Sequence, residues 1–274
     1  MTAPAPQTQN FATGHIADPD HGQIVFTAAG CASCHAAPDA TEADKLTLAG
    51  GHEFVSPFGT FYAPNISPGP QGIGGWSLDQ FAHAVTQGVS PQGQHYYPAF
   101  PYGSYVHMLP TDVSDLFAYM KTLPVSDQPN TPHDIGFPFN IRRSLGLWKQ
   151  LYMPDSFVLT GDLTPEEARG RYLVEALAHC AECHTPRTPL GGLDRAAWLS
   201  GAPNPSGKGR IPNITTGALD WSDSDLIYYF ESGLTPDYDS VGGSMAAVVT
   251  NLAALPASDR AAIAAYLKAV PAIP

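Results

Sequence analysis

The sequence predicts a mainly α chain of two tandem domains, each built of short helices joined by long loops. Three observations predict it. A five-residue pattern occurs twice, as "CASCH" at 31–35 and "CAECH" at 180–184, and it uses all 4 cysteines of the 274-residue chain. The stretches that follow the two copies repeat each other, as tandem units do. Helix caps are plentiful, whereas the period-2 alternation of strands is nearly absent. The 27 prolines and 26 glycines make the loops long, and loops of that length need something bound to supply a core.

Residues 1–17 are Pro-rich, without the basic and apolar runs of a signal peptide, and are expected to form a frayed N-terminus. The first domain is expected over 18–125. Ser77 opens "LDQFAHAVTQG", in which Leu78, Phe81 and Val85 share a face and Gly88 ends the helix. "LPTDVSDLFAYMKTLP" at 109–124 closes the domain, with Val113, Leu116, Phe117 and Met120 on one stripe and Pro124 as the stop. Residues 126–163 link the domains and are too apolar for a loose tether. The second domain is expected over 164–274. Thr164 caps its first helix, with Pro165 at the first position and Glu167 closing a capping box, and this helix leads to Cys180. Ser222 opens "DSDLIYYFESG", and "LPASDRAAIAAYLKAVP" closes the domain at 255–271. Both domains carry "PNI", at 64–66 and 212–214, followed by a tryptophan (Trp76, Trp221), a short helix and a glycine (Gly88, Gly233).

The formal net charge of −12 argues against a nucleic-acid partner. No stretch reaches the roughly 18 apolar residues of a membrane span. The charge is uneven. Residues 1–125 hold nine acidic and two basic residues, whereas residues 164–274 hold twelve and eight. Such acids keep a protein soluble. They also suit docking to a partner with a basic patch, with Asp112 and Asp115 expected among the steering charges.

The cysteine pattern carries the chemistry. A disulfide framework needs cysteines spread along the chain, and a thioredoxin-like site needs a βαβ context. A zinc site could use two C-x-x-C pairs but leaves the following histidine unexplained in both copies. Covalent haem c explains both cysteines and the histidine in each copy. Cys31 and Cys34, and Cys180 and Cys183, stand three apart on one side of a helical turn and can add to two porphyrin vinyl groups. His35 and His184 then lie under the iron as proximal ligands. Two covalently bound haem c groups are expected, attached outside the bacterial cytoplasm. The localisation expected is therefore periplasmic, with the export signal absent from the given chain.

Each iron needs a further ligand or an open site. After His184 the chain has no other histidine and one methionine, Met245 in "GGSMAAVV", which is expected as the second ligand of the second haem. In the first domain Met108 is preferred, from a loop before the closing helix. Met120 lies on an apolar stripe and reads as core, while His52, His83, His95 and above all His107 are rival ligands. Supporting roles are assigned more broadly. Asn65 and Asn213 are turn residues or position loops near the haem. Trp76 and Trp221 either hydrogen-bond a propionate or belong to the core, and Arg142 and Arg143 either pair with propionates or lie on the surface. A carbonyl near Pro38 or Pro186 is a candidate acceptor for the proximal histidine N–H.

The stretches "YYPAFPYGSYVHM" at 96–108, "FPFNIRRSLGLW" at 137–148, both "PNI" segments, and "GGSMAAVV" followed by "AAIAAYLK" make the chain resemble the multihaem cytochrome c subunits of bacterial dehydrogenases. These serve quinoprotein alcohol dehydrogenase and the gluconate, sorbitol and fructose dehydrogenases. The resemblance covers about residues 20–271. It implies two cytochrome c-type domains in tandem, with methionines at the positions of Met108 and Met245 as haem ligands. Those subunits usually carry three haems and a C-terminal anchor, whereas this chain has two motifs and ends at Pro274. The implied function is electron transfer from a periplasmic dehydrogenase to an oxidase or smaller cytochrome, with no catalytic residue. The rival reading is a dihaem enzyme such as a cytochrome c peroxidase, which needs one open iron site.

Overall fold

The computed structural model describes residues 3–205, 207 and 209–274. The chain divides into two compact units, one of Met1–Phe26 with Cys31–Met153, the other of Thr27–Gly30 with Pro154–Pro274. Helices dominate both, in keeping with a mainly α fold.

The first unit contains α1 (Pro19–Ala28), α2 (Cys31–His35), β1 (Glu53–Ser56), β2 (Gly59–Tyr62), α3 (Leu78–Gln87), α4 (Tyr102–Tyr105), α5 (Pro110–Met120), β3 (Asp134–Ile135) and α6 (Leu145–Tyr152). Asp18 caps α1 by accepting from the amides of Asp20 and His21. The Ser77–Gln80 capping box opens α3, and Gly88 at φ 59° closes it in the left-handed region. Each such cap contributes about 1 kcal/mol. α5 buries Val113, Leu116 and Met120. It meets α1 backbone to backbone at Gly22, where a Cβ would lie 2.1 Å from the Asp115 carbonyl oxygen and 2.8 Å from Tyr119 Cβ. Only glycine allows that approach. Phe26 packs on Tyr119 beside the crossing, with ring centroids 5.2 Å apart.

The N-terminal stretch engages this unit. The amides of Asn10 and Phe11 donate to the Asp79 carboxylate, while His15 Nε2 lies 2.6 Å from Asp115 Oδ1 and the Asp18 amide 2.8 Å from it. His21 Nε2 lies 3.2 Å from Asp112 Oδ1. Both acids are buried, at 5% and 3% exposure. This corrects their expected place among the docking charges: they hold α1 and its lead-in to α5 and do not face a partner.

The second unit contains α7 (Pro165–Arg171), which runs on into a π-helical turn at Tyr172–Leu177. It continues with α8 (Ala181–His184), β4 (Ala202–Pro203), β5 (Arg210–Ile211), α9 (Asp223–Ser232), α10 (Met245–Ala253) and α11 (Ala257–Ala269). Capping boxes at Thr164 and Ser222 open α7 and α9, and Gly233 at φ 75° ends α9. The helix crossing of the first unit recurs. A Cβ at Gly170 would lie 1.9 Å from the Ala262 carbonyl oxygen and 2.7 Å from Tyr266 Cβ. Arg169 takes the part of His21 and grips the Asp259 carboxylate bidentately at 2.9 and 2.7 Å. Lys121 donates to the carbonyls of Ile73 and Gly74, and Lys268 to that of Trp221, so each closing helix is tied to the loop before the middle helix.

The strands differ from the sequence expectation. β1, β2 and β3 form an antiparallel three-stranded sheet, and β4 pairs with β5. Each strand has two to four residues, too few to establish an alternating pattern. Gly59 lets β3 cross closely, since a Cβ there would lie 2.3 Å from the Asp134 carbonyl oxygen.

Candidate functional site

Both C-x-x-C-H motifs fold as one helical turn. α2 carries Cys31, Cys34 and His35; in the second unit Cys180 caps α8, which carries Cys183 and His184. All four thiols are free of disulfides. His35 Nδ1 lies 2.8 Å from the Pro64 carbonyl oxygen, and His184 Nδ1 lies 2.8 Å from that of Pro212. A carbonyl only accepts, so Nδ1 holds the proton and Nε2 keeps its lone pair for a metal. Burial lowers the pKa of both imidazoles, which favours the neutral form that ligation requires. It also pushes the Cys31 and Cys180 thiols up to about 12, away from the thiolate a zinc site would use. Among the described residues no three His, Cys, Asp or Glu side chains gather as a metal cluster. Two thiols on one turn with an oriented, neutral imidazole beside them fit covalent haem c.

The acceptors are therefore the prolines of the two "PNI" segments, not carbonyls near Pro38 or Pro186. A shared device holds them in place. The Gly50 amide donates to the His35 carbonyl at 2.8 Å, and the Gly201 amide to the His184 carbonyl at 2.7 Å. Leu48 and Leu199, both at positive φ, accept from Ile66 and Ile214. At Gly50 (φ 75°) a Cβ would lie 2.5 Å from the Pro64 carbonyl carbon; at Gly201 (φ 82°) it would lie 2.7 Å from the Asn213 amide nitrogen. The repeat "LAG" at 48–50 and "LSG" at 199–201 was the sequence signal for this contact.

Asn65 and Asn213 anchor the same segments. Asn65 Nδ2 donates to the carbonyls of Ser126 and Gln128, and its Oδ1 accepts from the Ser67 amide. Asn213 Nδ2 donates to the Ile273 carbonyl, and its Oδ1 accepts from the amide and hydroxyl of Thr215. The segment is thus pinned to the chain that follows α5 in the first unit and α11 in the second.

Met108 is 5% exposed and sits just before α5, with its amide donating to the Tyr105 carbonyl. Met120 is 2% exposed in the packed face of α5. Met245 is half-buried at the first position of α10. Among the histidines, His52 is exposed against the Phe54 ring, His83 is buried in α3 with a bond to the Ala5 backbone, and His95 forms a bridge with Val89. The His107 amide donates to the Ser104 carbonyl. Arg142 donates to the His95 carbonyl at 3.0 Å and lies over the Tyr97 ring, while Arg143 is exposed beside a cleft that His95 also lines. Trp76 is half-buried with its amide on the Ile73 carbonyl; Trp221 stacks edge-on against Tyr229.

The cytochrome c family model matches residues 19–124. A diheme cytochrome c-type protein of Cereibacter sphaeroides is 54% identical over all 274 residues, which cover 93% of that protein. The fructose dehydrogenase cytochrome subunit of Gluconobacter japonicus is 40% identical over 95% of this chain and 54% of its own length. The cytochrome c subunit of the quinone-dependent alcohol dehydrogenase of Gluconobacter oxydans is 34% identical over 97% of this chain and 58% of its own. The chain thus spans little more than half of either dehydrogenase subunit.

Proposed function

The chain belongs to the cytochrome c family, among its dihaem members, and we propose from that premise that it carries electrons from a periplasmic dehydrogenase to an oxidase or smaller cytochrome. It is an electron-transfer protein with two covalently bound haem c groups, not itself the enzyme that oxidises a substrate. The observation that carries the reading is the twofold recurrence of a neutral, oriented histidine beside two thiols on one turn.

Each bound haem supplies one-electron chemistry at its iron. The chain's residues do the rest. Cys31, Cys34, Cys180 and Cys183 attach the porphyrins. His35 and His184 ligate through Nε2, with Pro64 and Pro212 fixing ring orientation and basicity. Met108 and Met245 complete the coordination, which excludes water and peroxide and favours a high potential. Arg143, exposed and without the stacking of Arg142, is the better of the two arginines for a propionate. Asp39, Glu42 and Asp44, all exposed just after the first motif, replace Asp112 and Asp115 as docking charges for a basic partner. Among the described residues no helix is long and apolar enough to cross a membrane.

Rapid mixing of the oxidised protein with a substrate-reduced dehydrogenase of this kind tests the function. Reduction of both haems within the turnover time is expected, with no carbon monoxide adduct of the reduced protein. Carbon monoxide binding with steady peroxide turnover would favour the dihaem peroxidase instead.

A further inference from the structure

Glu175 is 3% exposed, and its position is informative. It stands five residues before Cys180, as Phe26 stands five before Cys31. Phe26 packs on Tyr119; Glu175 takes the same part toward Tyr266, whose hydroxyl donates to its Oε1 at 2.8 Å. The fold therefore accepts a phenyl ring here, and burying a carboxylate is far more costly. The second unit accommodates it with built partners. The Val158 and Leu159 amides donate to the carboxylate at 2.5 and 3.1 Å, and Trp198 Nε1 donates to the Tyr266 hydroxyl at 2.9 Å. The π-helical turn Tyr172–Leu177 presents Glu175 inward, and it absorbs one residue more than the first unit has between the crossing glycine and the first cysteine. The turn also lies against the motif: the Cys180 amide donates to the carbonyl of Val174, the neighbour of Glu175.

We propose that Glu175 is the redox-linked proton site of the second haem: its carboxylate takes up one proton from solvent as that haem gains one electron. The haem of the first unit, with Phe26 in the same place, lacks the linkage. The proposal rests on haem attachment at Cys180 and Cys183. A buried negative charge stabilises the ferric state and lowers the potential, and reduction in turn raises the carboxyl pKa. The facing groups set the balance. Burial pushes Glu175 above the usual carboxylate range, while the two amides, Tyr266 and the more distant Arg195 act the other way. Burial and the Glu175 charge hold the Tyr266 phenol up, so it remains a donor. Arg171, on the same helix, bonds the Leu159 carbonyl, and residues 157–160 bring no titratable side chain. Val158, Leu159 and Arg195 line an open cleft, so solvent reaches within one peptide of the carboxylate.

Spectroelectrochemical titration of the holoprotein at a series of pH values tests this. One of the two waves should fall with rising pH by up to tenfold in its reduction constant per unit, about 59 mV for one electron. In Glu175→Gln that wave should sit at its high, acid-side value and lose its slope, with the other unchanged. The infrared difference spectrum of the wild type should gain a protonated carboxyl band on reduction. Tyr266→Phe, which removes a donor, should move the sloping window to higher pH. Two flat waves in the wild type, or a slope that survives in Glu175→Gln, would overturn the proposal. The mass of each sample is read alongside, since one haem per chain would instead sink the attachment on which it rests.

Discussion

His35 presents Nδ1 2.8 Å from the carbonyl oxygen of Pro64, and this single bond joins the two segments that define the first unit's site. The haem motif and the "PNI" segment are distant in sequence, yet each is of little use without the other. The histidine needs its tautomer fixed, and the carbonyl needs a donor where no ladder partner is available. His184 and Pro212 repeat the arrangement.

The close approach of Gly50 and Gly201 to these segments makes a stability prediction. Ala at either position would combine a positive φ with a contact of 2.5 or 2.7 Å. Each change should cost roughly 1–3 kcal/mol in denaturant unfolding of the holoprotein. It should also perturb the proximal-histidine resonances of its own haem only. Gly103→Ala, where a Cβ meets nothing within 4 Å, is the matched control and should leave stability and spectrum near wild type.

The methionines separate by what they lose. Met245→Ala should weaken the far-red thioether-to-iron band of the ferric protein, and Met108→Ala should remove the remainder. Met120→Ala should keep the band and lose about 2–5 kcal/mol of stability through the cavity left in the α5 core. A band unmoved by Met108→Ala but changed by His107→Ala would reassign the first haem's ligand.

Docking through exposed acids predicts salt-sensitive kinetics, since such charges are screened beyond about 8 Å at physiological ionic strength. Reduction by the partner should slow steeply as salt rises, and Asp39→Asn with Asp44→Asn should flatten the dependence. Asp115→Asn should instead weaken folding, because the His15 ring and the Asp18 amide both bond its carboxylate. A salt-independent rate would remove the docking role and leave electron transfer intact.

The parts of the fold written in local chemistry were legible in the sequence. Ser77, Thr164 and Ser222 find their capping partners three residues away, and Gly88 and Gly233 end helices at positive φ with their amides on the carbonyls four residues back. The two C-x-x-C-H turns are equally local. What stayed hidden depends on distance. The partners of Asp112 and Asp115 lie about a hundred residues earlier, so surface charge was the only local reading. The acceptors for His35 and His184 lie nearly thirty residues on, well beyond the prolines nearest the motifs, Pro38 and Pro186. The π-helical turn shows in sequence only as one extra residue between Gly170 and Cys180, and Gly22 and Gly170 become equivalent only once both crossings are seen.

The most direct measurement is the mass of the intact chain under denaturing conditions. Thioether attachment survives denaturation, so the chain should carry two haem additions, falling to one when Cys31 and Cys34 are both replaced by Ala and to one when Cys180 and Cys183 are. A chain of apoprotein mass, or a single addition in the wild type, would contradict a dihaem cytochrome c.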